Sequence, residues 1–506
     1  MKVVIDSQSL ISNGEYAEPN DNFVFECEDY CIGLYGIVLN NEAVDSESIK
    51  ISLINGETQK KYKGSYVMWL YDKTLQKVYI ANDLLSKQSV YFYNKDGLIL
   101  VNTSLFDLCA DLRKKGREPE INFTAVDYFL KNNVFYGDLT YESNTRFLTA
   151  YSYIEINCKT NTLTVNRLPI PKMKPIEDIS VEGALDKLEE KFSEGCHLQW
   201  RKNELYKKDQ IITTSGGMDS RAVLLHLLNQ NGSSTIKSFT YAQSGSNDAK
   251  ISKKLADSVG IDNTFIPLDN CEFAYQRDEL TNANEGQMYY LGSTGAIMMA
   301  RLCKEKYQPG IIHTGLGGGE ILGDMCVANG DIISENDSNI SVNQQRNLDD
   351  IRRCLNFQKT TSLYFSVFSP FLYEDFFEYA LCLPASLRMH RKLYIQWYKK
   401  HMNSNFPSAG SYSLIIKAIN RIKTKTYRAL RKKNPTDMNP IVFWYDSKPE
   451  LREYIQATWD HDCELLKERE DLLKLLKESF QTSVIRKFAV LTVTWSAIRI
   501  LGLDEA

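Results

Sequence analysis

Among the eleven cysteines of this 506-residue chain, no two form a Cys-x-x-Cys pair. That removes the usual signature of a structural zinc site, and their scatter gives no disulfide framework. Cys27 and Cys31 have no second ligand pair and are expected to be buried thiols. Excess charge is also missing: 60 Lys and Arg against 64 Asp and Glu leave a net −4. A general nucleic-acid binder carries a basic surplus, so that class is set aside. Hydrophobic runs are short. Residues 1–6 hold too little apolar sequence for a secretory signal, and the run 488–495, interrupted at Arg499, falls short of a membrane span. The expectation is a cytoplasmic protein that spans no membrane. No internal repeat is apparent.

What the chain does have is length for more than one core and ordinary globular composition, 43% apolar and 25% charged. Up to about residue 168 the pattern predicts strands. Tyr66-Val67-Met68-Trp69-Leu70-Tyr71, Val78-Tyr79-Ile80-Ala81, Val90-Tyr91-Phe92-Tyr93 and Ile99-Leu100-Val101 are aromatic and β-branched runs parted by polar residues and glycine. Three prolines within residues 168–175 suit an extended linker. Beyond it, strand candidates at 210–213, 235–241, 264–268 and 310–314 alternate with helical segments at 219–231, 248–260 and 292–306. Such alternation predicts crossover units on a parallel sheet. From about residue 370 the chain reads as helical, ending in an amphipathic stretch, 449–503.

The most informative string is Ser215-Gly216-Gly217-Met218-Asp219-Ser220, set between an apolar strand and a helix. Two glycines let the backbone approach an anion, and the helix amides point at it. Ser215 and Ser220 add hydroxyl donors, while Asp219 makes sense if a magnesium ion bridges it to phosphate oxygens. A serine-capped strand-to-helix turn is the plainer alternative. The Gly-Lys-Ser/Thr ending of the common phosphate loop is absent. A second glycine turn, Gly315-Leu316-Gly317-Gly318-Gly319-Glu320-Ile321-Leu322-Gly323-Asp324, follows the strand at 310–314.

The first string resembles the pyrophosphate loop of the N-type ATP pyrophosphatases. Together the two loops are similar to the synthetase domain of the asparagine synthetase family, whose second loop usually reads Gly-Glu-Gly-Ala/Ser-Asp-Glu. Tyr241-Ala242-Gln243-Ser244-Gly245-Ser246-Asn247-Asp248 resembles the family segment near the adenosine. Ser369-Pro370-Phe371-Leu372-Tyr373-Glu374-Asp375-Phe376 and Leu383-Pro384 resemble its Pro-Phe-Leu-Asp and Leu-Pro helix pair. In the first half, Gly36-Ile37-Val38-Leu39-Asn40-Asn41 and Lys63-Gly64-Ser65-Tyr66-Val67-Met68-Trp69-Leu70-Tyr71-Asp72 resemble segments of the family's glutaminase domain.

The resemblance implies a two-domain α/β and α+β fold. Residues 1–168 would form an Ntn-hydrolase-like, glutamine-amidotransferase-like sheet domain, and 169–175 the linker. Residues 176–506 would form a parallel-sheet, adenine-nucleotide-hydrolase-like synthetase domain with a helical tail. It implies ATP and magnesium as cofactors, with Ser215, Gly216, Gly217, Met218, Asp219, Ser220, Thr240, Tyr241 and Gly315 around the nucleotide. Asp219 and Glu320 would hold magnesium. Asp324, four residues after Glu320 and expected on the same helical face, is either a substitute ligand or a solvated helix residue. The chemistry implied is adenylation of a carboxylate with release of pyrophosphate, then attack by an amine that displaces AMP. Glu285, with Tyr289 and Tyr290 close by, is the candidate general acid/base, or a surface carboxylate ahead of a helix.

The chain departs from the family pattern. Gly319 stands where the second loop's first carboxylate is expected, and Leu316 replaces the earlier Glu. The late catalytic lysine has no matching context, which leaves Lys417 and Lys423 as guesses. Lys2 follows Met1, so the N-terminal cysteine nucleophile of the glutaminases is not expected and the domain reads as a retained scaffold. The amine then comes as free ammonia, from a separate ammonia-supplying protein, or from the carboxylate acceptor itself. Within the enzyme class, lasso-peptide or β-lactam-type cyclisation and sugar-acid amidation in surface-polysaccharide synthesis stay open. A nonhydrolysing ATP-binding or interaction protein is the rival outside it. The basic run 421–433 is a solvated face or local steering for an anion.

Overall fold

The computed structural model describes residues 2–5, 9–12, 20–41, 44–135, 137–172, 174–231, 235–293, 295–324, 355, 365–402, 426 and 437–504. Eleven strands precede the proline-rich stretch: β1 (Lys2–Ile5), β2 (Ser9–Ser12), β3 (Phe23–Glu26), β4 (Tyr30–Val38), β5 (Gly64–Asp72), β6 (Lys77–Asn82), β7 (Tyr91–Lys95), β8 (Leu98–Asn102), β9 (Thr145–Phe147), β10 (Ser152–Asn157) and β11 (Thr162–Arg167). They form two antiparallel sheets, β2-β1-β8-β7-β9 and β11-β10-β6-β5-β4-β3. Alternation of side chains explains the stacking. Val67, Trp69 and Ile80 of one sheet meet Ile99 and Val101 of the other in a closed core. The opposite set, Leu34, Met68 and Leu70, packs beneath the Ser46–Ile54 helix. On the far side, Tyr91, Tyr93 and Leu100 lie under the Leu105–Lys114 and Phe123–Asn132 helices. The layers therefore run helix, sheet, sheet, helix.

Residues 168–172 dock rather than span open solvent: the Leu168 amide donates to Tyr151 O (2.7 Å), and Leu168 and Ile170 pack on the second half's core. Beyond the Val181–Leu205 helix lies a parallel sheet of β12 (Asp209–Thr213), β13 (Ile236–Ala242), β14 (Asp262–Pro267), β15 (Pro309–His313) and β16 (Val367–Phe368), in the order β14-β13-β12-β15-β16. Four of these strands were expected; β16 is two residues long, too short to leave a sequence period. Its crossover helices are Met218–Asn231, Asn247–Val259 and Ala296–Lys306. The third starts four residues later than predicted because Gly295 takes a left-handed turn (φ 75°) before it.

The tail is three helices, Pro449–Leu465, Glu470–Phe480 and Val484–Leu501, not one amphipathic stretch. The last is buried nearly all round, including Thr492, Thr494 and Ser496, whose hydroxyls are satisfied within the helix or by Asp462. One hydrophobic core joins residues of the first sheet, the Ala296–Lys306 helix and this tail.

Charged pairs tie the two halves together. Lys87 Nζ meets Glu374 Oε1 at 2.6 Å, with the side chains 5% and 0% exposed. The same carboxylate oxygen accepts from the Gly64 amide (3.1 Å), and Lys87 also donates to Gly64 O (2.9 Å). Lys202 pairs with Asp21 at 2.8 Å. Among the described residues nine cysteines are free thiols; Cys27 and Cys31, expected to be buried, are half-buried near the edge strand β3. Among the described residues no helix is long and apolar enough to cross a membrane.

Candidate nucleotide site

β12 and β15 are neighbours, and the sheet grows from β12 in opposite directions, to β13 and β14 on one side and to β15 and β16 on the other. Ligands of open α/β sheets collect at the carboxyl ends of the strands where the order reverses. Both glycine loops leave those ends.

The first loop is internally braced. The Ser215 amide donates to Ser220 Oγ (3.1 Å), the Gly217 amide to Ser215 Oγ (3.1 Å), and the two serine hydroxyls lie 3.2 Å apart. Thr214 Oγ1 and Thr240 Oγ1, 3.0 Å apart, join β12 to β13 at the same level. Met218 packs into the core beneath, so it anchors the loop. Burial lifts the Tyr241 hydroxyl to about 12, keeping it neutral. The Gly216 amide donates to Asp248 Oδ1 at 2.9 Å. A phosphate oxygen would take that amide only by displacing the Asp248 carboxylate.

The second loop lies directly against the first. A Cβ on Gly315 would come within 2.2 Å of Ser220 N and 2.4 Å of Asp219 C, so only glycine fits. The Gly319 amide donates to Asp219 Oδ2 (3.3 Å), and the Tyr394 hydroxyl donates to Asp219 Oδ1. Burial, and next the adjacent Asp219 charge, hold the Tyr394 hydroxyl well above its ordinary range. From behind, Ser369 Oγ donates to Leu316 O (2.6 Å) and Phe371 abuts Gly318. The Ser369-Pro370-Phe371-Leu372 string is thus a buttress for the second loop.

β15 ends in His313, fully buried beneath this loop. Its Nε2 lies 2.8 Å from Gln210 Oε1, which also accepts from Asn203 Nδ2. Because Gln210 Nε2 donates to Trp200 O, its oxygen faces the ring, which assigns the shorter contact to a proton on His313 Nε2, while Nδ1 lies 3.3 Å from Gln199 Oε1. Burial lowers the imidazole pKa to about 3. A folded value below the unfolded one gives stability that is complete above about pH 6.5 and lost as pH falls toward 3. The expected loss is at most about 1.4 kcal/mol per pH unit below 6.5. Thermal melts of wild type and His313→Gln between pH 4 and 7 check this: the variant should have the shallower acid limb, and equal slopes would refute the assignment.

Other predicted residues lie differently. Glu285 has left-handed backbone (φ 53°), and its Oε1 accepts the Leu105 amide at 2.7 Å, at the start of an N-terminal helix. Tyr289 packs against the large shared core. The expected α-helical face carrying Glu320 and Asp324 is not formed: Glu320–Asp324 is a five-residue π turn broken at Gly323. The Asp324 side chain, Lys417, Lys423 and nearly all of the basic run lie outside the described residues.

Magnesium needs only one or two carboxylates beside water and phosphate oxygens, and this loop offers Asp219 with Glu320 next along the turn. Asp219 has a hydrogen bond on each oxygen, Gly319 brings no carboxylate, and among the described residues no three His, Cys, Asp or Glu side chains converge as metal ligands. Asp248, Arg391 and Tyr394 were missed as site residues. Asp248 fell inside a quoted string, but nothing in spacing paired it with Gly216.

No curated protein matches the chain. Residues 212–329, from within β12 through the second glycine loop, match the family model for asparagine synthase, which supports assigning this chain to the asparagine synthetase family of ATP-dependent amidation ligases.

Proposed function

We propose that the protein is an AMP-forming carbon–nitrogen ligase. It adenylates a small-molecule or peptide carboxylate with ATP, releasing pyrophosphate, and an amine or ammonia then displaces AMP to leave an amide. The observation that carries this reading is the contact of Gly315 with Asp219–Ser220, which fuses the two glycine loops into one surface at the strand ends. Ser215, Gly216, Gly217 and Ser220 cradle phosphate oxygens, while Thr240 and Tyr241 lie on the adjoining strand, toward the adenosine. Alignment and charge neutralisation of the leaving pyrophosphate supply most of the acceleration. Residues 1–168 serve as a scaffold without glutaminase activity, joined through 169–175 to the synthetase domain, 176–506. Ammonia or an amine therefore reaches the site without glutamine hydrolysis by this chain.

The test is pyrophosphate and AMP release on a panel of amino acids, uronic acids and peptides with ammonia as the amine. Asp219→Ala should lower turnover by about 10²–10³-fold or more, the range seen when one preorganised transition-state contact is lost. Gly319 and Leu316, which bring no carboxylate to the second loop, favour the rival reading of a nonhydrolysing ATP-binding protein. Nucleotide binding without pyrophosphate release on any acceptor would decide for that rival, and ADP formation would sink both.

A further inference from the structure

Asp219, the carboxylate of the first glycine loop, is held by two elements distant from it in sequence. The Gly319 amide donates to its Oδ2 at 3.3 Å, and the Tyr394 hydroxyl donates to its Oδ1. Gly318 separates that carboxylate from an aromatic wall: a Cβ there would sit 2.9 Å from Asp219 Cγ and 2.9 Å from Phe371 Cε2 and Cζ. Gly319 has no more room, since a Cβ would meet Arg391 Nη2 at 2.6 Å. These two positions of the turn can therefore offer Asp219 a backbone amide but no side chain. The side-chain donor comes from Tyr394.

Tyr394 is fully buried and tightly packed. Its ring stacks on Trp397, with centroids 5.7 Å and planes 20° apart, and stands edge-on to Phe371 at 6.0 Å and 89°. Phe371 is the ring that abuts Gly318, so one aromatic cluster walls both the tyrosine and the turn facing Asp219. The helix Lys392–His401 starts directly after His390 and Arg391, both left-handed (φ 57° and 58°). Such backbone costs a non-glycine residue roughly 1 kcal/mol or more and persists where the surroundings enforce it. A buried tyrosine hydroxyl needs a partner. Tyr66, Tyr141 and Tyr290, buried as deeply, find theirs in backbone carbonyls. Tyr394 instead takes the carboxylate of the nucleotide loop.

We propose that Tyr394 is a positioning residue for magnesium-ATP: its hydroxyl fixes the orientation in which Asp219 meets the ion. The inference rests on the ATP-site reading above. A carboxylate free to rotate must be ordered when the ion arrives, whereas one already held by its neighbours need not be. Losing such a neighbour of a metal-binding side chain typically costs about 10- to 100-fold in metal affinity.

Calorimetry of ATP binding, in magnesium and in EDTA, tests this on wild type, Tyr394→Phe, Asp219→Asn and the double variant, with a thermal melt of each. Tyr394→Phe removes one oxygen from a ring that stays packed, so the fold is kept. Its affinity for magnesium-ATP should fall about 10- to 100-fold. In EDTA, where no ion draws on Asp219, it should give the same result as wild type. The double variant should bind magnesium-ATP no more weakly than Asp219→Asn, because the tyrosine acts only through that carboxylate. If Tyr394→Phe binds magnesium-ATP like wild type, whatever its melting temperature, the hydroxyl serves the core alone and the inference fails while the ATP site stands. Equal losses in magnesium and in EDTA, or losses that multiply in the double variant, overturn it as well. If wild type binds ATP in neither condition, both readings fail.

Discussion

Replacing Gly315 by alanine is expected to cost nucleotide binding about 10²-fold, the penalty for displacing a binding group by roughly 1 Å. The added Cβ meets backbone, Ser220 N at 2.2 Å and Asp219 C at 2.4 Å, so no rotamer change can relieve it. The loops must separate, carrying the Gly319 amide away from Asp219. Stability should fall by far less than affinity, because the clash is confined to a surface where two loops touch at the end of the sheet. Calorimetry with magnesium-ATP, alongside a thermal melt, reads both. Wild-type affinity in a folded Gly315→Ala protein would show that the loops do not act as one site.

The second large effect concerns stability. Lys87→Met is expected to destabilise the fold by about 3–5 kcal/mol, the usual result of leaving one member of a buried ion pair alone. Glu374 would then keep its charge at 0% exposure with only the Gly64 amide as a described donor. Glu374→Leu should cost less, since the ammonium keeps its bond to Gly64 O and the charge of the buried Asp83 carboxylate nearby. The double variant Lys87→Met/Glu374→Leu should cost clearly less than the sum, since two apolar side chains of similar size can replace the pair. Denaturant titration of all four proteins gives the coupling directly. Additive losses would mean the pair contributes packing alone.

Much of this architecture was legible from the chain. β12, β13, β14 and β15 announced themselves because each is an apolar, β-branched run closed by turn residues, and the glycine loops are contiguous strings whose chemistry follows from local order. What stayed hidden is non-local. Tyr394 and Arg391 reach Asp219 and Gly319 through packing between a helix and a loop distant in sequence, and no period or spacing encodes that contact. Gly319, read as a missing carboxylate, proved to be the seat of an arginine. Glu285 reads as a general acid/base candidate or a surface carboxylate, and its bond to the Leu105 amide in the other half of the molecule is a further contact that no spacing encodes. The Val484–Leu501 helix lost its amphipathic character for the same reason, since neighbours from both halves cover what would have been its polar face.

That shared core bears on inheritance. Tyr91 and Leu501 belong to one apolar cluster, so a recombination event joining this synthetase half to a foreign first half would expose the tail helix unless the newcomer brought matching apolar contours. The two halves can diverge in chemistry, but neither can be exchanged without a match to the apolar face they share.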